Sequence, residues 1–163
     1  EGPRAIRVPV PGAIADVGAY KGGCSLILRK LAPDRDLHIF DTWSGTPIDD
    51  PLCHHKKGSW ATRYDDCVSL VGNGPLTHYH PGVFPETAVD GAFCFVFVDP
   101  DTYQAVKDSI DFFWPRLAFG GKMVFDDYGW EPCAGVRKAV DEVFDESKRR
   151  VNAALHTCIV EKR

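Results

Sequence analysis

Four aspartates that could act together follow two runs of apolar residues in the chain. Asp99 and Asp101 come directly after the first run, and Asp126 and Asp127 come directly after the second. Carboxylates packed together repel one another, so a bound cation would stabilise the group, and all-oxygen ligands suit Mg²⁺. The alternative is a local role for each residue, with Asp101 as the cap of the helix that follows it.

A glycine-rich turn, residues 18–23, follows an earlier apolar segment and opens a helix. Tyr20 interrupts the G-x-G-x-x-G pattern, and no Lys-Ser/Thr pair completes a phosphate loop, so both of those motifs are disfavoured. The turn either lets a ligand approach the backbone or meets a purely conformational need for glycine. Asp41 lies 23 residues after Gly18 (41 − 18), where nucleotide-binding folds place the acid that binds a ribose diol. Its alternative role is to begin a turn.

Histidines and cysteines offer weaker candidates. His54 and His55 stand beside Cys53, but lysines at 56–57 oppose a cation, so the sequence predicts a solvated loop. His78 and His80 share one face of a predicted strand without a third ligand at a spacing that suits zinc. The six cysteines contain no Cys-x-x-Cys pair, which favours reduced thiols in a cytoplasmic protein.

Strand and helix patterns alternate along the chain, which predicts an α/β fold with a mostly parallel sheet and helices on both faces. Ligands of such sheets bind beyond the carboxyl ends of the strands, here after Val17, Phe40, Val98 and Phe125. Strands are predicted at 13–18, 37–40, 76–80, 93–98 and 122–125, with one or two more within 151–160. Helices are predicted at 22–31, from Ser59 to 71, after Asp101 or Thr102, and at 134–144. Residues 46–58 are predicted to form a long surface loop.

Length and composition fit one soluble domain covering residues 1–163. The net charge is −4, and hydrophobic and charged residues make up 44% and 26% of the chain. An acidic chain argues against general binding to nucleic acid or to an anionic membrane. No apolar run approaches the roughly 18 residues that a membrane span needs.

Several of these segments together resemble the macrocin O-methyltransferase family of class I S-adenosylmethionine-dependent methyltransferases. Residues 16–23 (DVGAYKGG) are similar to its first motif, and residues 40–47 (FDTWSGTP) to its second-strand motif FDSFEGLP. Residues 98–103 (VDPDTY) resemble its LDGDLY, and residues 126–129 (DDYG) with 135–141 (GVRKAVD) resemble its DDYG and GCRKAVDE blocks. These motifs occur in the family's order from about Val10 to the C-terminus.

The resemblance implies a Rossmann-like class I methyltransferase fold and a set of site residues. It implies that Asp99, Asp126 and Asp127 bind Mg²⁺ and that Asp101 is the base. Residues implied to bind S-adenosylmethionine are Gly18, Ala19, Tyr20, Gly22, Gly23, Asp41, Thr42 and Asp99. Tyr20 and Trp43 are aromatic residues near the implied cofactor site, and packing in the core would explain them equally well.

The resulting hypothesis is Mg-assisted methyl transfer to a hydroxyl of a small molecule of sugar or phenol type. Two departures bear on it: Pro100 and Thr102 replace Gly and Leu of the DGDLY motif, and little chain precedes Val10 where family members carry N-terminal lid helices. The expectation is a minimal core without that lid, with homo-oligomer formation left open. The alternatives are a non-catalytic S-adenosylmethionine- or S-adenosylhomocysteine-binding module, a truncated core of a larger methyltransferase, and a nicotinamide oxidoreductase, which Tyr20 disfavours.

Overall fold

A computed structural model describes residues 10–163 of the protein. Its strands are β1 (Ala13–Val17), β2 (Leu37–Asp41), β3 (Thr77–Pro81), β4 (Phe93–Val98), β5 (Leu117–Phe125), β6 (Arg149–Asn152) and β7 (Thr157–Glu161). Its helices are α1 (Gly23–Leu31), α2 (Tyr64–Val71), α3 (Tyr103–Arg116) and α4 (Ala134–Asp141), with short 3₁₀ turns at Glu131–Cys133 and Glu146–Lys148.

The strands form one sheet in the order β3-β2-β1-β4-β5-β7-β6. The five strands from β3 to β5 pair in parallel, whereas β7 runs antiparallel to both β5 and β6. The chain adds β2 and β3 on one side of β1 and then crosses to add β4 on the other side. The strand order therefore reverses between β1 and β4. This is the point at which parallel α/β sheets open a crevice for ligands.

Both faces of the sheet are covered, as the continuous apolar run in β4 predicts. On one face, Phe93 and Val96 pack in a core cluster with Val106 and Phe113 of α3. On the other face, Cys94 belongs to a second cluster that includes Cys67 and Val71 of α2 and Ile14 and Leu37 of the neighbouring strands. The predicted mostly parallel sheet with helices on both faces is therefore confirmed.

The register of the parallel strands brings four strand ends to one edge. Val17 pairs with Phe40 on one side and with Val98 on the other, and Val98 pairs with Phe125. Residues that follow these four positions therefore emerge side by side, although they are far apart in the chain.

The helix predicted to begin after Ser59 was placed too early. It begins at Tyr64, with Arg63 as its first flanking residue. Trp60 has a φ of 63° and an exposed fraction of 52%, so it is neither helical nor part of the buried face. A left-handed backbone at this residue prevents the helix from extending back to Ser59.

Other boundaries also differ from the predicted ones. β5 begins five residues before the predicted start at Lys122, and α4 ends at Asp141 rather than Phe144. The closing segment holds two strands, β6 and β7, and β6 begins at Arg149, before the predicted range. Neither Asp101 nor Thr102 caps α3 with its side chain. Within residues 10–163, no helix is long and apolar enough to cross a membrane.

Candidate active site

A cavity of about 580 Å³ opens at the edge where the four strand ends meet. That volume lies within the range of small-molecule sites. Each of β1, β2, β4 and β5 is followed by at least one residue that lies in the cavity wall, as predicted from the alternation of strands and helices. The strand-end residues in the wall are Gly18, Tyr20, Asp41, Thr42, Asp99, Pro100, Asp101, Asp126 and Asp127.

Asp41 ties the two loops after β1 and β2 together. One of its carboxylate oxygens, Oδ2, accepts a hydrogen bond from the backbone N–H of Tyr20 at 2.7 Å, and Oδ1 accepts one from the N–H of Trp43 at 2.6 Å. A carboxylate has about four acceptor positions, so Asp41 keeps acceptor capacity on the cavity side. The geometry is compatible with a diol-binding acid.

The predicted cofactor residues do not all reach the cavity. Gly18, Tyr20, Asp41, Thr42 and Asp99 line it, whereas Ala19, Gly22 and Gly23 are absent from its lining. A Cβ on Gly18 would stand 2.2 Å from the carbonyl oxygen of Asp99, and Gly18 has a φ of 88°. Close packing of the two strand ends is thus a sufficient reason for this glycine.

Two of the aromatic residues near the glycine turn have different roles. Tyr20 lines the cavity. Trp43 is buried in the core cluster around α2, where its Nε1 donates a hydrogen bond to the carbonyl oxygen of Tyr20 at 2.9 Å. Trp43 therefore supports the glycine-rich turn from the core side and does not line the cavity.

Asp16 is a buried acid at the end of β1 that the sequence analysis did not single out. Its side chain is fully buried, Oδ2 accepts a hydrogen bond from the hydroxyl of Ser25, and Oδ1 has no hydrogen-bond partner. Burial raises the pKa of Asp16 to about 6. The signal in the sequence that could have identified Asp16 is a charged residue inside an otherwise apolar strand.

Three of the four carboxylates after β4 and β5 converge, and the fourth, Asp126, lies outside the group that could hold one ion. Oxygen atoms of Asp99, Asp101 and Asp127 lie within 4.8 Å of one another, and Asp126 lines the same cavity beside them. Burial, followed by repulsion from Asp126 and the other acids, raises the pKa of Asp99 well above its ordinary value. Burial and the neighbouring Asp127 raise the pKa of Asp101 to about 7. Clustered oxygen ligands of this kind suit Mg²⁺.

The long loop at 46–58 is held against the ends of two helices. The buried Asp50 accepts hydrogen bonds at Oδ2 from the backbone N–H of Tyr103 at 2.7 Å and at Oδ1 from that of Leu52 at 2.8 Å. Asp50 thus supplies the cap of α3 that had been expected from Asp101 or Thr102. The N–H of His54 donates to the carbonyl of Pro132 at 2.9 Å, which joins the loop to the start of α4.

The prediction of a solvated loop around the histidine pair is wrong for two of its residues. Cys53 is only 4% exposed, and its Sγ lies 3.4 Å from the Sγ of Cys133. His55 faces the cavity, whereas His54 is exposed. All six cysteines carry free thiols. Cys53 and His54 contact the distant 3₁₀ turn at Glu131–Cys133, which explains why the neighbouring lysines gave the wrong prediction.

One side of the cavity is aromatic. Trp60 contacts the ring of Tyr20 edge-on at 5.5 Å between ring centres and that of His55 at 5.2 Å. Trp130 lies 5.8 Å from His55 on the other side. His55, Trp60 and Trp130 could not be predicted as site residues from the sequence, because long-range packing of loops, and no local motif, brings them together.

Strained backbone is concentrated around this cavity. Six residues other than glycine in the described chain have positive φ, and all except Trp43 line the cavity: Tyr20, Trp60, Asp101, Asp127 and His156. Such conformations cost energy and persist where the surrounding structure holds them. Asp101 at 60° and Asp127 at 54° are thereby held by their backbone next to each other.

Solved structures share this fold. The O-methyltransferase NovP and the calicheamicin methyltransferase CalS11 each superpose with a TM-score of 0.76 at 19% identity, over 94% of this chain and 73% of theirs. At these identities the likeness establishes the fold, which is that of class I methyltransferases. Residues 4–158 match the macrocin-O-methyltransferase (TylF) family model, and the chain belongs to this family.

Curated relatives match a smaller part of this chain than the two solved structures do. The chain is 26% identical over 145 residues to a rhamnosyl-tetracenomycin-C 4'-O-methyltransferase of Streptomyces olivaceus, covering 76% of this chain and 56% of that protein. It is 27% identical over 164 residues to the mycinamicin III 3''-O-methyltransferase of Micromonospora griseorubida, covering 86% and 63%. The chain therefore spans less than two thirds of the length of these relatives.

Proposed function

We propose that the protein is an S-adenosylmethionine-dependent O-methyltransferase that methylates a hydroxyl of a small molecule with divalent-metal assistance. The observation that carries this proposal is the joint placement of a diol-compatible acid and a carboxylate cluster in one cavity of a methyltransferase fold. Membership of an O-methyltransferase family supports it. We further propose that residues 1–163 work as one domain, since a single sheet runs through the described chain.

Asp41 is proposed to bind the ribose of the cofactor. Asp41 lines the cavity between the loops after β1 and β2, and its carboxylate keeps acceptor positions beyond the bonds to Tyr20 and Trp43. Bound S-adenosylmethionine supplies a methyl group on a sulfonium. Gly18, Tyr20 and Thr42 are proposed to form the wall beside it.

The carboxylates are proposed to serve two purposes. Asp99, Asp126 and Asp127 would hold a divalent cation, which supplies Lewis acidity that favours ionisation of a bound hydroxyl. Asp101 takes the proton of the acceptor hydroxyl, because it lines the cavity beside these ligands, within 4.8 Å of Asp99 and Asp127, and burial raises its pKa above the ordinary value. With the acceptor oxygen held in line with the donor, positioning supplies part of the rate.

The methyl acceptor is proposed to be a sugar hydroxyl of a glycosylated small molecule. The aromatic side of the cavity, formed by Tyr20, His55, Trp60 and Trp130, offers flat apolar surface of the kind that packs on a sugar ring or an aromatic ring. The names of two relatives, which describe methyl transfer to a rhamnosyl compound and to mycinamicin III, support this choice.

Labelled methyl transfer tests the proposal. The purified chain is incubated with methyl-labelled S-adenosylmethionine and a panel of glycosides, phenols and catechols, with Mg²⁺ or with a chelator. We expect label in a glycoside and a lower rate with the chelator. Label in none of the acceptors, combined with intact binding of S-adenosylhomocysteine, would favour a cofactor-binding module or a truncated core over the complete enzyme.

A further inference from the structure

A second group of metal-ligating side chains adjoins the carboxylate cluster. One ligand atom each of His55, Asp101 and Cys133 lies within 4.8 Å of the other two. Cys53 adds another thiol, with its Sγ 3.4 Å from that of Cys133. We propose that this group, termed here the thiol–imidazole cluster (Cys53, His55, Asp101 and Cys133), is a binding site for Zn²⁺ that is distinct from the all-oxygen site.

The donor set decides the chemistry of the ion. Thiolate sulfur and imidazole nitrogen are preferred ligands of zinc, whereas magnesium takes oxygen ligands. Zinc bonds of about 2.0–2.3 Å place the ligand atoms of a tetrahedral site roughly 3–4 Å apart. The 3.4 Å between the two sulfurs meets this spacing, and the ligand atoms of His55, Asp101 and Cys133 lie within 4.8 Å of one another, so the side chains would have to close further around an ion. Binding displaces the thiol protons to solvent.

The backbone around the thiol–imidazole cluster holds the four ligands in place. The N–H of His54 donates to the carbonyl of Pro132, and the N–H of Gly135 donates to the carbonyl of Leu52 at 3.1 Å. These two bonds flank Cys53 and Cys133, which are both buried. Asp101 is directed by its positive φ into the cavity and away from the end of α3.

Occupation of the thiol–imidazole cluster would inhibit the protein, and this consequence rests on the proposed function. Asp101 belongs both to this cluster and to the group formed with Asp99 and Asp127. An ion that takes Asp101 as a ligand removes it as the acceptor of the hydroxyl proton. Zn²⁺ would also fix the loop at 46–58 to α4 through Cys53 and His55.

The test measures metal binding to the reduced chain without cofactor or acceptor. A chromophoric chelator that competes for Zn²⁺ gives the affinity and the stoichiometry, and Co²⁺ in place of Zn²⁺ reports thiolate ligation by charge-transfer absorption. We expect one ion per chain with that absorption. Cys133→Ser should lower the absorption, because Cys53 alone remains as a thiolate ligand, and His55→Gln should weaken binding by about 10-fold or more, at least what loss of an outer-shell partner costs a metal site.

Controls separate zinc binding at this site from binding at the carboxylate cluster and from damage to the fold. Cys24→Ser removes a thiol outside the thiol–imidazole cluster and should leave both readouts unchanged. His55 is partly exposed, so His55→Gln tests the site even where Cys133→Ser disturbs the buried core. Unchanged Zn²⁺ affinity in both variants, or loss of binding only in Asp99→Asn/Asp127→Asn, would overturn the proposal. Binding of S-adenosylhomocysteine, measured separately, reports on the proposed function and not on this site.

Discussion

Asp101 stands where the carboxylate cluster and the thiol–imidazole cluster meet. Its backbone has a φ of 60°, a conformation that asparagine and aspartate tolerate better than most residues. Its side chain caps no helix. The substitution Asp101→Asn therefore keeps shape and backbone preference while it removes the ability to accept a proton as a carboxylate.

We expect Asp101→Asn to retain cofactor affinity and to lower methyl transfer by about 10²–10⁴-fold, the usual contribution of a general base. A base is active when deprotonated, so kcat/KM of the unmodified protein should rise as the pH passes through the pKa of Asp101, which burial and Asp127 raise in the metal-free protein. The pH–rate profile of Asp101→Asn should lack this rise. A pH–rate profile of both proteins checks this, and an equal rate in the variant would remove Asp101 from the mechanism.

At the residue scale, the sequence predicted the acids at the strand ends and Tyr20, but not the other aromatic residues of the cavity. Asp41, Asp99 and Asp127 lie at or just after the ends of strands, so a parallel sheet suffices to bring them together. Trp60 and Trp130 reach the cavity through loop conformations that depend on distant contacts. No periodicity in the local sequence carries that information.

The loop at 46–58 is the element on which the site depends most. Asp50 bonds the first backbone N–H of α3, which carries no side-chain cap of its own. A cap supplied from a residue 53 positions away cannot be recognised from the usual pattern of a polar residue just before the helix. Long-range contacts of the same loop also bury Cys53. The loop is therefore less exposed to solvent than its lysines and histidines predict.

Asp50→Ala should destabilise the protein by about 0.5–2 kcal/mol, the cost of losing a helix cap. Urea unfolding followed by circular dichroism measures the change. Asp34, in the turn after α1, is exposed, and Asp34→Ala provides a control whose effect should stay within about 0.5 kcal/mol, as for surface substitutions. Equal stabilities of the two variants would show that Asp50 does not cap α3.

Over the whole molecule, the clustered acids should make stability depend on pH. Asp101 in the folded chain holds its proton up to about pH 7, whereas its ordinary pKa is 3.8. Between these values the folded state binds more protons than the unfolded state, so this contribution to stability is lost as the pH rises. His38, whose pKa is lowered by burial to about 4, contributes in the opposite direction.

Comparing the melting temperatures of the unmodified protein and of Asp101→Asn separates the contribution of Asp101 from that of His38. In a chelator, Asp101→Asn should melt at a higher temperature than the unmodified protein, by a margin that is larger at pH 8 than at pH 5, because asparagine stays neutral throughout. Differential scanning calorimetry at both pH values measures this. A difference that shrinks or changes sign with rising pH would contradict the assignment of repulsion to this cluster.

The central claim is that the cavity at the switch point of the sheet binds an adenosine cofactor through Asp41. Isothermal titration calorimetry of the purified chain with S-adenosylhomocysteine, with NAD as the competing hypothesis, tests it most directly. We predict one site for S-adenosylhomocysteine, none for NAD, and a loss of about 1.5–3 kcal/mol in binding free energy in Asp41→Ala, the scale of hydrogen bonds to a charged group. Preference for NAD, or unchanged affinity in a folded Asp41→Ala variant, would contradict the account.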